Sequence, residues 1–351
     1  MSGGGLVFVG IPGTTVEPST AALLVEHRPG GVVLFRRNLE APEQVLDLVT
    51  ELRRLLPEVV LAVDAEGGRV DRLAAVVAPA PAAELLARRE PAAAQEAGHW
   101  IALALRLFDL DVDFAPVVDL DFGERDNALD GRYLGSREPA VTRRARAFLR
   151  GLHSGGIGGC VKHFPGLGAA AADTHFETSV VRLGAAKLVQ HLKPFASLLP
   201  VAGAAMIAHA VYPALDAEER PASLSPAVIE TLLRGRMGFD GLVFSDDLDM
   251  KALAAWGSLP ERAEAAFAAG CDVLLSCQTL EALPAIASRL AKPKHAARRE
   301  QSERRLDGYR RRLRTLRWTS DSVSLVRDRS RMARLDFVRD GLRQLLADLE
   351  G

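Results

Sequence analysis

Eight short apolar runs, separated by longer segments rich in Ala, Leu, Arg and Glu, constrain this chain more than any other feature. They read LVFVG (6–10), GVVLF (31–35), VVLAV (59–63), VDFAPVV (112–118), GGCV (158–161), AAMIA (204–208), GLVFS (241–245) and DVLLS (272–276). Most are continuous rather than alternating, which is the pattern of parallel strands covered on both faces. The segments between them, among them 42–55, 80–106, 140–153, 225–235 and 260–269, have the spacing of crossover helices. Eight strands alternating with helices predict an α/β fold of the (β/α)8, TIM-type barrel class. A doubly wound open sheet would need a Gly-rich phosphate turn after an early strand, and PGTT (12–15) is a poor one. The barrel is expected to occupy residues 1–285. The tail, 286–351, is dense in arginine and lacks strand-like runs, so it is expected to form a helical extension packed on the barrel. Acidic residues interspersed through it point to a solvated helix face rather than a nucleic-acid surface.

Bulk properties narrow the function. A net charge of -1 over 351 residues gives no reason to expect a polyanion partner or a membrane surface. Three cysteines, Cys160, Cys271 and Cys277, are too few and too odd in number for a disulfide framework, which suits a reducing compartment. The N-terminus lacks a basic region ahead of a long apolar run, and no stretch approaches the roughly 20 apolar residues of a membrane span. The expectation is a cytoplasmic protein with neither a nucleic-acid nor a membrane partner; the sequence leaves its oligomeric state open.

A barrel enzyme must carry its chemistry at the C-terminal ends of its strands. Here the third run ends at Asp64-Ala-Glu66-Gly-Gly-Arg69, the fourth at Asp119 and the fifth at Lys162-His163. The sixth ends at His209 and the seventh at Asp246-Asp247. Five consecutive strand ends thus bear titratable groups. No metal is expected, because barrel metallohydrolases need ligands after the first and last strands, where this chain has Gly-Ile-Pro and Ser-Cys-Gln. A ring of carboxylates and cations instead suits a polyhydroxylated ligand.

AVDAEGGRVDRL (62–73), KHFPGLGAAAADTHFET (162–178) and GFDGLVFSDDLDM (238–250) closely resemble motifs of glycoside hydrolase family 3, nearest to its bacterial β-N-acetylglucosaminidase branch. The likeness runs in order from about residue 5 to 285. It implies a retaining glycosidase without a cofactor, releasing terminal β-linked N-acetylglucosamine from a small GlcNAc-containing glycoside or muropeptide, as in peptidoglycan recycling. By the same resemblance Asp246 is the nucleophile, and the acid/base is His175 held by Asp173, a histidine replacing the usual second carboxylic acid. Asp64, Arg72, Arg132, Lys162, His163 and His209 are expected to hold the sugar. Glu66 and Arg69 are expected to pair with each other beneath it, and Asp247 either repels the nucleophile or caps the next helix. The run of Gly166, Gly168 and four alanines is read as bare so that the arm can move. Where the family has His-Phe-Pro-Gly-His-Gly this chain has Leu167. β-Glucosidase or phosphorolytic activity, or a decayed sugar-binding barrel, are the competing readings.

Overall fold

The computed structural model describes residues 3–124, 128–170, 179–319 and 331–351. Its central sheet is all-parallel. The strands are β1 (Val7–Gly10), β2 (Gly31–Leu34), β3 (Val60–Val63), β6 (Val112–Asp113), β7 (Gly158–Gly159), β8 (Val161–Phe164), β9 (Ala204–Ile207), β10 (Leu242–Asp247) and β11 (Val273–Ser276). They run in the order β7-β6-β3-β2-β1-β11-β10-β9-β8. β7 and β8 are two halves of one barrel position, interrupted at Cys160. The first half pairs with β6 and the second with β9. The ring closes where Cys160 N–H donates to Ala115 O at 2.9 Å and Val118 N–H to Lys162 O at 2.9 Å. The expected (β/α)8 barrel is therefore present.

Two features differ from expectation. The fourth was expected over 112–118 but is regular only at Val112–Asp113, because Pro116 has no N–H to give to a ladder. A small antiparallel hairpin, β4 (Ala65–Gly67) with β5 (Val70–Asp71), grows from the end of β3 where a plain loop was expected.

The helices start where local chemistry allows. Prolines open α1 (Pro18–His27), α2 (Pro42–Leu55) and α4 (Pro91–Leu107), at a position whose N–H has no partner inside a helix. Pro91 also divides the single helix expected over 80–106, leaving the short α3 (Ala83–Ala87) before it. α2 buries Val45, Leu48, Val49 and Leu52, a stripe at helical spacing that faces the sheet. α5 (Glu138–Ser154), α6 (Ala185–Ala202) and a π-helical segment (Ala227–Arg236) continue the outer layer. α7 (Leu259–Ala269) and α8 (Leu283–Leu290) complete it. α7 opens with a capping box, Ser258 N–H donating to Glu261 Oε2 at 2.9 Å.

Aromatic rings from distant strands fill the barrel interior. Phe244 stands edge-on to Phe8 at 5.4 Å and to Phe114 at 5.3 Å. Below them, α9 (Ala296–Thr319) brings Tyr309 to within 6.3 Å of Phe244. This helix lies across the N-terminal mouth of the barrel, and its arginines meet groups at the starts of the strands. Arg317 bonds Asp109 and Asp111, each at 2.8 Å. Arg298 and Arg305, with Arg234, converge on the buried carboxylate of Asp272. Leu306, Tyr309 and Leu313 are buried. The face expected to be solvated thus packs in good part against strand ends. α10 (Arg331–Glu350) buries Leu335, Val338, Leu342, Leu345 and Leu349, and sets Phe337 against Trp100 of α4 at 5.3 Å. No described helix is long and apolar enough to cross a membrane.

Candidate active site

The C-terminal ends of the strands surround a cavity of about 410 Å³ whose wall includes Asp64, Arg72, Arg132, Lys162, His163 and Asp246. Six of the nine residues expected to form the site therefore share one space. Asp173 and His175 lie outside the described residues. His209 does not belong to the described wall. It is 1% exposed behind it, with Nδ1 2.7 Å from Ser223 Oγ and Nε2 2.9 Å from the Asp247 carbonyl oxygen. The expectation that it meets the sugar is corrected accordingly, since both ring nitrogens are spent on protein partners.

The floor of the cavity is a charge cluster. Lys162 Nζ sits 2.7 Å from Asp64 and 2.6 Å from Glu66. Glu66 also takes both arms of Arg132, at 2.7 Å each, while Arg132 Nη1 donates to Ala128 O. Glu66 thus pairs with Arg132 and Lys162 and not with Arg69, which reaches Ala128 O instead. The β4–β5 hairpin is the cause: by raising Glu66 as a strand residue it turns the carboxylate inward.

Two cations face two carboxylates, so the cluster is neutral in sum. Burial favours a neutral Lys162, yet Asp64 and Glu66 outweigh it and hold the ammonium above its ordinary pKa. Burial likewise opposes ionisation of Glu66, but Arg132 and Lys162 keep its carboxyl well below the usual range. Beneath them Asp113 is wholly buried, accepts a bond from Ala65 N–H at 3.0 Å, and is pushed well above the carboxylate range by that burial.

His163 is fixed by Asp119, whose Oδ2 meets both the Nδ1 of its ring (2.8 Å) and its main-chain N–H (3.1 Å). The other Asp119 oxygen accepts from Leu167 N–H at 2.6 Å. A carboxylate is an acceptor, so Nδ1 carries a hydrogen and Nε2 is the nitrogen left for the ligand. Arg72 comes from the hairpin's exit, where its N–H bonds Asp64 O at 3.1 Å. Its buried Nε has no hydrogen-bond partner among the described residues, which makes it a donor awaiting an oxygen.

Asp246 owes its place to an irregularity. Between Phe244↔Val273 and Asp247↔Leu275, β10 spends two residues where β11 spends one. This is a β-bulge, a device that re-aims a side chain. The Leu275 N–H it leaves unpaired bonds Ser245 Oγ at 3.0 Å, so the residue before Asp246 repairs the ladder with its side chain. Asp247 N–H then donates to Asp246 Oδ1 at 2.8 Å. The Asp247 carboxylate accepts from the Asp249 and Cys277 amides and is pushed up to about 7, first by burial and then by the charges of Asp249 and Asp246. It does not cap the next helix, Lys251–Trp256, whose N-cap is Met250 without a side-chain bond. Its carboxylate instead closes the turn before that helix through the Asp249 N–H and shares the nucleophile candidate's electrostatic field.

The arm beyond His163 also departs from expectation in its described part. A β-carbon on Gly166 would lie 2.1 Å from His191 Nδ1, and one on Gly168 would lie 1.8 Å from Leu120 O. These glycines are bare because other groups press against their backbone, and Leu167 and Ala170 between and after them are buried.

Glu66, Asp113 and Asp119 act by orienting neighbours. Glu66 and Asp119 stood at strand ends where a signal was visible, though their partners were not; Asp113, inside its strand, gave no signal at all.

The sequence model of the glycosyl hydrolase family 3 N-terminal domain matches residues 4–308. A β-hexosaminidase of Alkalilimnicola ehrlichii is 39% identical over 304 residues, covering 82% of this chain and 85% of the relative. A family 3 β-N-acetylglucosaminidase from Paenibacillus superposes with a TM-score of 0.86 at 30% identity, over 98% of this chain and 67% of that one. NagZ from Neisseria gonorrhoeae, solved with N-trifluoroacetyl-D-glucosamine, gives a TM-score of 0.78 at 29% identity over 96% and 97% of the two chains. With its fold, its motifs and these relatives in agreement, the chain belongs to glycosyl hydrolase family 3.

Proposed function

We propose that this protein is a retaining β-N-acetylhexosaminidase that releases terminal β-linked N-acetylglucosamine from small glycosides, muropeptides among them, in the cytoplasm. The observation that carries the reading is the convergence of Asp246, on its bulged strand end, with Asp64, Arg72, Arg132, Lys162 and His163 around one cavity. The relatives named β-hexosaminidase support the same substrate class.

In this reading Asp246 attacks the anomeric carbon while the glycosidic C–O bond breaks. His175 as imidazolium gives its proton to the departing oxygen, and a glycosyl-aspartate ester results. Neutral His175 then takes a proton from water, whose oxygen displaces Asp246 from the anomeric carbon and returns it as a carboxylate. Asp173 holds the imidazole and stabilises its charged form. The neutral Lys162–Asp64–Glu66–Arg132 cluster offers fixed donors and acceptors to sugar hydroxyls without reorganising.

Incubation with a chromogenic N-acetyl-β-glucosaminide is expected to release dye, and Asp246→Ala to abolish the release. A 2-fluoro sugar is expected to leave one covalent adduct on Asp246, seen by mass spectrometry. Dye release surviving Asp246→Ala refutes the assignment, and sugar 1-phosphate as the product in phosphate buffer would replace hydrolysis by phosphorolysis.

A further inference from the structure

We infer that His209 is a positioning residue for Asp246, acting through the main chain of Asp247. This rests on the reading of Asp246 as the nucleophile. His209 lies two residues beyond β9, and its ring bridges two elements. Its Nε2 faces the Asp247 carbonyl oxygen at 2.9 Å and its Nδ1 faces Ser223 Oγ at 2.7 Å. A carbonyl only accepts, so Nε2 carries a hydrogen. In the neutral ring Nδ1 is then bare and accepts from the Ser223 hydroxyl. Ser223 is itself tied down, because its N–H donates to Ala208 O at 3.0 Å and the preceding Ala222 N–H to Ala210 O at 2.8 Å. The serine and the histidine are thus anchored to the same short stretch of chain.

What this arrangement holds is the segment just past the bulge, where the regular ladder has been lost. The Asp247–Leu248 peptide is gripped on both sides, its carbonyl by His209 and its N–H by the Leu275 carbonyl at 3.0 Å. One peptide unit back along the chain, Asp247 N–H meets Asp246 Oδ1 at 2.8 Å. A shift of the Asp247 backbone therefore carries with it the donor that aims the nucleophile's carboxylate. Misplacement of a reacting group by about 1 Å can lower a rate about 100-fold, so such a grip bears on kcat.

His209→Met removes both bonds at similar volume, whereas His209→Gln restores an N–H donor near the position of Nε2. In His209→Met, kcat and the rate of 2-fluoro-glycosyl adduct formation are expected to fall about 10- to 100-fold, with KM within about twofold of wild type. His209→Gln is expected to recover most of the loss. An increase in KM with kcat unchanged would overturn the inference and return His209 to the sugar, and unchanged kinetics per folded molecule would overturn it outright. Should His209→Met fail to fold, Ser223→Ala carries the test, with a few-fold loss of kcat expected and an unchanged kcat counting against the grip. The ¹⁵N shifts of His209 in the wild type decide the geometry independently of any hydrolysis: an Nε2–H ring is expected, and an Nδ1–H ring overturns the assignment. A wild type that releases no dye would refute the hydrolase reading, and the ¹⁵N result would then judge the ring's arrangement by itself.

Discussion

Replacing Asp247 by asparagine should stabilise the protein in alkaline solution and do little in acid. Its carboxyl is held up to about 7 in the folded chain by burial and by the neighbouring charges of Asp249 and Asp246. In the unfolded chain it titrates near 3.9, as an ordinary aspartate does. The folded state therefore binds this proton more tightly than the unfolded one. That advantage is complete below about pH 4 and is lost as pH rises through about 7. At about 1.4 kcal/mol per unit the gap amounts to about 4 kcal/mol, trimmed to about 2–4 kcal/mol because the side chain is only partly buried. Asparagine keeps an oxygen for the Asp249 and Cys277 amides and cannot ionise. A chain of this length unfolds with an entropy of roughly 0.7 kcal/mol/K. The variant should accordingly melt about 3–6 °C above wild type at pH 8, and only about 1 °C above it at pH 4.5. Calorimetric melts of both proteins at pH 4.5, 6 and 8 provide the measurement. A gap that stays constant with pH, or widens on acidification, would refute the reasoning.

Three further substitutions probe other parts of the molecule. Glu66→Gln leaves the buried Arg132 without its carboxylate and Lys162 with Asp64 as its remaining partner, so stability should fall by about 3–5 kcal/mol, the melting point by about 4–7 °C, and KM should rise; thermal melts and steady-state kinetics read both effects. Asp272→Asn loosens three arginines at the opposite mouth of the barrel and should lower stability by a similar amount while leaving KM unchanged, as the same two assays will show. Gly168→Ala drives a methyl group against the Leu120 carbonyl and should cost about 2 kcal/mol or more. A melting point within about 1 °C of wild type would show that this glycine is bare for some other reason.

The barrel could be read from the sequence because parallel strands buried on both faces must be apolar throughout. Asp64, Lys162, His163 and Asp246 could be placed because a barrel confines chemistry to one rim, whereas Arg72 and Arg132 came only with the family resemblance. What escaped notice depends on partners far along the chain. Glu66 looked like a mate for Arg69, three residues away, until the hairpin turned it toward Arg132, 66 residues distant. The bulge before Asp247 rests on Ser245 bonding a backbone N–H on the next strand, for which SDD carries no local signature. The arginines of α9 resembled a solvated surface because their acidic partners, Asp109, Asp111 and Asp272, precede two different strands. Gly166 and Gly168 pointed to mobility, yet the same absence of side chains answers to crowding.

The additional residue in β10 separates two tasks that a regular ladder would force on the same positions. The residues up to Phe244 keep the cylinder shut, while one unit of slack lets the next carboxylate face the chamber. Excising a single amino acid there is expected to even out the ladder against β11 at the expense of the carboxylate's aim. Chemical competence and architecture in this molecule thus part company over about three ångströms of backbone, the length contributed by one residue.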